Sequence, residues 1–129
     1  MKHLAIFNDV NVIEKILRGE KIIESRFSRH KDLPYGKIKK GDEIYMKESG
    51  GKIKGRVLVD NVLFYGDLSP EKIGTLRKEY SNEILADDDF WESRGKSKYV
   101  SLIFLKNPER FVSAIKFKKH DRRGWMIIR

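Results

Sequence analysis

The sequence predicts an α+β fold, a mixed β-barrel of about seven strands with two or three short helices set into the connections. Three observations predict it. Short apolar runs recur along the 129 residues, separated by Gly, Pro, Asn and Asp clusters. Helical periodicity is confined to a few stretches, each opened by a capping residue. Strand–helix alternation is never sustained for long enough to build a doubly wound parallel sheet. The length suits one domain, residues 1–129, with room for a real core.

The elements follow in order. Residues 2–7 read as the first strand. Asn11, with Glu14 three residues on, has the capping-box arrangement, and Val12, Ile13, Ile16 and Leu17 share one face of the helix that follows. Gly19 ends that helix, where a positive φ is cheap only for glycine. The second strand runs from about Lys21 to Phe27, and residues 29–36 form a loop rich in charge, Pro and Gly. Residues 43–48 form the third strand, Gly50-Gly51 a hairpin turn, and residues 52–65 the fourth strand, with Gly55 allowing a bulge.

Ser69-Pro70 opens a second helix as N-cap and first residue, with Ile73, Leu76 and Tyr80 as its apolar stripe. Asp87, Asp88 and Asp89 precede a short helix over residues 90–94. Three adjacent aspartates cannot all converge on one ion from a helix start, so they read as capping and dipole-complementing charge, and no metal site is expected. Residues 99–105 form a central strand buried on both faces, Asn107-Pro108 a turn, and residues 111–117 a further strand. A basic loop over residues 118–124 leads to the last strand, residues 125–129.

Composition narrows the function. No cysteine is present, which removes disulfides, thiol catalysis and thiolate metal sites. No apolar run approaches a bilayer span, and Asn8 and Asp9 interrupt any signal-peptide core, so a cytoplasmic protein with no membrane partner is expected. Abundant Lys, Glu and Ile fit a thermophilic source. The net charge of +9 is unevenly placed. Residues 1–93 balance 17 basic against 17 acidic side chains, whereas residues 94–129 carry 11 against 2. Such a basic zone suits an anionic partner, nucleic acid foremost, or else a solvated surface. Nucleophile-elbow, phosphate-loop and dinucleotide patterns are absent, the histidines His3, His30 and His120 are scattered, and no cofactor is expected.

The informative stretch is Gly19-Glu-Lys21-Ile-Ile-Glu24-Ser-Arg26. On a strand, Glu24 and Arg26 share one face and Ser25 takes the other, so acid and guanidinium can hold each other or jointly hold a ligand. With the Gly41-Asp42 pair, the Gly50-Gly51 turn and Gly55-Arg56-Val57, the Gly19-x-Lys21-x-x-Glu24-x-Arg26 pattern resembles the ASCH domain family of the PUA-like superfamily, and the likeness covers most of the chain.

The resemblance implies a PUA-like barrel similar to RNA-binding modules, with a ligand cleft beside the signature strand. Lys21, Glu24 and Arg26 would line it, with Arg29 from the following loop, Ser97, Lys98 and Tyr99 from the central strand, and Arg122, Arg123 and Trp125 from the C-terminal part. Lys and Arg would neutralise phosphates, Tyr or Trp would stack on bases, and Glu24 would accept from base amino groups. An RNA- or nucleotide-like ligand is thus expected, while any protein partner is unknown. The alternative is a small amidohydrolase-like enzyme acting on a modified nucleoside through Lys21 and Glu24 as an acid–base pair. The resemblance implies such activity toward acetylated cytidine in some relatives, which use a threonine where this chain has Glu24. Whether the chain catalyses a reaction stays open on sequence alone.

Overall fold

In a computed structural model describing residues 1–118 and 122–129, six strands form one mixed sheet flanked by three helices. The strands are β1 (Lys2–Phe7), β2 (Ile23–Ser28), β3 (Glu43–Glu48), β4 (Ile53–Tyr65), β5 (Tyr99–Ile115) and β6 (Trp125–Ile128). The helices are α1 (Val10–Leu17), α2 (Pro70–Ile84) and α3 (Asp88–Ser93). The spatial order is β2-β5-β4-β3-β1-β6, with β1 parallel to β3 and every other pairing antiparallel. The sheet curls into a half-barrel, so its edge strands β2 and β6 approach each other across an open seam.

Local chemistry sets the helix ends. Ser69 accepts from the Lys72 N–H at 3.1 Å with Pro70 in the first turn, as its sequence predicts. Asp87 accepts from the Phe90 N–H at 2.8 Å, so an aspartate of the 87–89 run does cap α3, which starts at Asp88 and not at Phe90. The first helix departs from expectation. Its cap is Asp9, in extended backbone and accepting from the Asn11 N–H at 2.9 Å, which puts Asn11 inside the first turn. Glu14 does not fold back on the cap; it pairs with Arg110 of β5, whose guanidinium lowers its pKa against the opposing effect of desolvation. Gly19 has a φ of 76°, the conformation its place after the helix requires.

Among the described residues the strand count is six, because residues 99–105 and 111–117 are not separate strands. Asn107, at φ 51°, bends the chain without reversing it, and β5 continues to Ile115 alongside β4 through three register shifts. Asn107-Pro108 has the composition of a turn but sits at an irregularity of a long ribbon, where proline's missing donor is tolerated. The second strand starts at Ile23, not Lys21, since the Glu20 and Lys21 N–H groups both donate to the Lys15 carbonyl. Lys119, His120 and Asp121 of the basic run lie outside the described residues.

Two apolar clusters occupy the two faces of the sheet. Ile13 and Ile16 of α1 pack with Phe7, Met46, Ile103 and Trp125 on one side. Ile73, Leu76 and Ile84 of α2 pack with Ile23, Val100 and Leu102 on the other. The first half of β5 contributes to both, which confirms the expected burial of residues 99–105 on both faces. Among the described residues no helix is long and apolar enough to cross a membrane.

Gly55 shows how closely the ribbon packs. A Cβ there would lie 2.5 Å from the Glu109 carbonyl oxygen and 2.9 Å from Leu17 Cδ2. Backbone cannot step aside as a flexible side chain does, so Gly55→Ala should destabilise the protein by about 1–3 kcal/mol. Urea unfolding with an unchanged m-value checks it, and a neutral result would mean that the ribbon relaxes freely.

Candidate functional site

β2 is an edge strand, and its register pairs Glu24 with Ile103 and Arg26 with Ser101 on β5. Residues opposite each other in a ladder share a face. Glu24 and Arg26 therefore point with Ile103 into the concave side of the half-barrel, where apolar residues would otherwise sit. Ser25 pairs with Leu102 on the other face, and its Oγ is buried without a hydrogen-bond partner.

The three charged side chains of the signature form one network. Lys21 Nζ donates to the Ile84 carbonyl at 2.6 Å and lies 3.5 Å from Glu24 Oε1. Glu24 Oε2 accepts from Arg26 Nε at 2.8 Å. Lys21 and Glu24 are each only 7% exposed, so this is no surface ion pair. Burial pushes the Lys21 amine below the ordinary lysine pKa, and the Glu24 carboxylate opposes that shift by attraction and hydrogen bonding.

Arg26 spans the seam. Its terminal nitrogens donate to the Ile6 carbonyl of β1 at 3.1 Å and to the Gly124 carbonyl ahead of β6 at 3.5 Å. Its guanidinium lies 4.9 Å from the Phe7 ring and 5.1 Å from the Trp125 ring. Trp125 is held from below: its Nε1–H donates to His3 Nδ1 at 3.0 Å, and His3 Nε2 contacts Asp42 Oδ2 at 2.9 Å. The Trp125 donor requires Nδ1 to be the acceptor, which puts the proton of neutral His3 on Nε2, facing the carboxylate.

Two hollows meet at Arg26. One, of about 420 Å³, is bounded by Lys15, Lys21, Glu24, Phe27, Phe90 and Arg94. The other, of about 640 Å³, holds Lys47, Ser49, Arg122 and Arg123. Ile6, Asn8 and Arg26 border both. The first lies within the size range of small-ligand sites and mixes buried charge with aromatic rings. Burial pushes the Arg94 guanidinium pKa down, with Glu24 acting against the shift.

Of the expected site residues, Lys21, Glu24, Arg26, Arg122 and Arg123 do border these hollows. Trp125 is 3% exposed and supports Arg26 from the core, which leaves no free face for stacking. Arg29, Ser97, Lys98 and Tyr99 border neither hollow. Tyr99 packs edge-on against Tyr35, with Lys31 over its ring, and the Lys98 N–H closes a backbone bond to Ser28. Arg94 and Lys47 were not singled out from the sequence. Each looks like an ordinary cation of a helix end or a strand, and only the curl of the sheet brings them to Arg26.

The fold has solved counterparts. The crystal structure of ASCH from Zymomonas mobilis aligns over 99% of this chain and 87% of its own, with a TM-score of 0.75 at 14% identity. This chain has the ASCH-domain fold. A hypothetical protein of known crystal structure, 28% identical, aligns over 84% of this chain and 99% of its own with a TM-score of 0.57. A crystal structure from Pseudomonas putida aligns over 100% of this chain and 92% of its own, with a TM-score of 0.52 at 12% identity. No family model and no curated protein matches the sequence.

Three outcomes test the network. Glu24→Gln strips Lys21 and Arg26 of their carboxylate and should cost about 3–5 kcal/mol, the range for breaking a buried pair from one side. An NMR titration of the lysine side chains should show Lys21 losing its proton before the surface lysines, and earlier still in Glu24→Gln. The sign for stability follows. Between the lowered folded pKa and the ordinary lysine value, the unfolded chain holds a proton that the folded one has released, so the Lys21 contribution rises with pH across that window. Lys21→Met should lack this rise in pH-dependent unfolding.

Proposed function

We propose that residues 1–129 form a cytoplasmic RNA- or nucleotide-binding domain whose ligand enters the cleft beside β2. One observation carries this reading: the cleft of about 420 Å³ gathers a buried acceptor, Glu24, the cations Lys15, Lys21 and Arg94, and the rings of Phe27 and Phe90. A nucleobase asks for that combination. Its polar edge carries donors and acceptors together, its faces are apolar, and the phosphate of the nucleotide that bears it is anionic. A simple anion would not call for Glu24, and an apolar ligand would not call for the cations. Arg94 is well placed to serve as a donor or a stacking plane, since its guanidinium packs 4.0 Å over the Phe90 ring.

Competition between binding and folding sets limits on each residue. Glu24 already accepts from Arg26 and faces Lys21, so a base amino group would have to use its remaining lone pairs. Lys21 is likewise committed to the Ile84 carbonyl, and its further donors are the ones a ligand could take. Among the described residues no hydrogen bond ties the Arg94 or Lys15 side chain to β2 or to the seam; Arg94 donates to Ser93 Oγ instead.

A second reading, a small amidohydrolase-like enzyme acting on a modified nucleoside, is favoured by one feature, the lowered Lys21 pKa beside a carboxylate. Against it stands the absence of an accessible hydroxyl at the signature: position 24 is Glu, and the Ser25 Oγ is sealed off.

Labelled single-stranded RNA, structured RNA and DNA should be titrated across a salt series with the intact protein. Saturable RNA binding with a clear salt slope is expected. Arg94→Ala and Arg26→Ala should each weaken it, and the Arg122→Ala/Arg123→Ala double variant should flatten the slope by about 1–2. Absence of RNA binding at moderate salt would remove the polymer reading. Turnover of an N-acetylated nucleoside that is lost in Lys21→Met would then establish the enzyme instead.

A further inference from the structure

The second hollow carries an observation that the cleft does not explain. Lys47 lies on β3 opposite Ile6 of β1, just past the register shift between Met46 and Lys47, where its partner on β4 becomes Ile53. It is 5% exposed, yet among the described residues its Nζ has a single acceptor, the Glu48 carbonyl at 3.2 Å. Among the described residues no carboxylate lies within ion-pair reach of it. The adjacent Glu48 carboxylate is turned to Lys54, 3.5 Å away. A buried ammonium with three donors and one acceptor is costly unless something else satisfies it. Among the described residues the protein supplies Lys47 Nζ with no second acceptor.

What borders Lys47 indicates what would satisfy it. The hollow of about 640 Å³ adds Arg26 from β2, Arg122 from the segment before β6, and the polar residues Asn8 and Ser49. No Asp or Glu lines it among the described residues. Cations thus reach it from three separate chain segments, along different directions. A planar carboxylate offers acceptors in one plane only, whereas the oxygens of a phosphate point toward several donors at once. Asn8 and Ser49 add neutral donors of the kind that fix a phosphate's orientation. The shared wall of Ile6, Asn8 and Arg26 puts such a phosphate beside whatever occupies the cleft.

We propose that the hollow around Lys47 is a phosphate site, taking the phosphate attached to the nucleoside that the cleft holds. This deepens the binding reading above and rests on it for the second half of the statement only. The anion site itself stands on Lys47 and its surroundings. Arg26 would then touch both parts of one nucleotide, and Lys47 would touch the phosphate alone.

The test compares the four ribonucleosides with their 5′-monophosphates by calorimetry, on the intact protein, Lys47→Met and Arg122→Ala. Methionine keeps the length and buried bulk of Lys47, and Arg122 is exposed, so both variants should fold, as thermal melting will show. Every monophosphate that binds should do so about tenfold or more tighter than its nucleoside, in line with charge-assisted hydrogen bonds. Lys47→Met should abolish that advantage and leave nucleoside affinity unchanged, and Arg122→Ala should reduce it. Inorganic phosphate should also shift the side-chain NMR signal of Lys47. Nucleosides that bind as well as their monophosphates would overturn the phosphate site and leave the cleft reading standing. So would an advantage that survives in both variants. Inorganic phosphate that shifts Lys47, with no nucleoside or monophosphate binding through the cleft, would support the anion site and overturn the nucleoside reading.

Discussion

A guanidinium that bridges two sheet edges is the constraint on which the rest of the structure depends. A curled sheet of six strands leaves β2 and β6 facing each other with unmet backbone groups. Arg26 donates into the gap from β2 to the Ile6 and Gly124 carbonyls, and aromatic rings from β1 and β6 pack against it. Its own position is fixed by Glu24, whose second oxygen faces Lys21, which in turn is tied to the end of α2 at Ile84. The chain of contacts therefore runs from a helix end, through a buried carboxylate, to the far edge of the sheet. On the core side it continues through Trp125 and His3 to Asp42, where burial works to raise the carboxyl's pKa but His3, the Lys39 N–H and the N-terminal ammonium together hold it below the ordinary value.

Buried ion pairs seldom repay their desolvation compared with apolar replacements of the same shape. An apolar triad at positions 21, 24 and 26 would spare that desolvation but would leave the Ile6 and Gly124 carbonyls without the Arg26 donors that close the seam. The retention of charge on a concave face suits a site that must meet a polar ligand, and the two hollows beside Arg26 give such a ligand a place to sit.

Much of this was legible in the chain. Ser69-Pro70 marked the start of α2, residues 43–48 the third strand, and the alternation of β2 placed Glu24 and Arg26 on one face. Local rules suffice where the deciding interaction is local. They fell short where a distant partner decides. Glu14 looks like the closing half of a capping box, but Arg110 of β5 takes its carboxylate, and the cap falls to Asp9. Asn107-Pro108 has turn composition, but the continued pairing of β5 with β4 keeps the strand going. At the site, the signature spacing located three side chains and the basic C-terminal third located two more, while Arg94 and Lys47 reach the two hollows beside Arg26 only through sheet order. Tyr99 was drawn elsewhere by Tyr35, which no pattern along the strand could reveal.

The shared position of Arg26 also shapes how such a protein can diversify. Most positions in a pocket can drift, altering preference while the scaffold stays intact. Position 26 lacks that liberty, because one side chain both fastens the sheet and walls two cavities, so nearly any replacement is felt in folding before its effect on recognition can be selected. Lys15, Arg94 and Arg122 touch the same spaces without holding the seam. New preferences in a lineage built on this arrangement should therefore accumulate around a fixed arginine, with the periphery varying and the centre standing still.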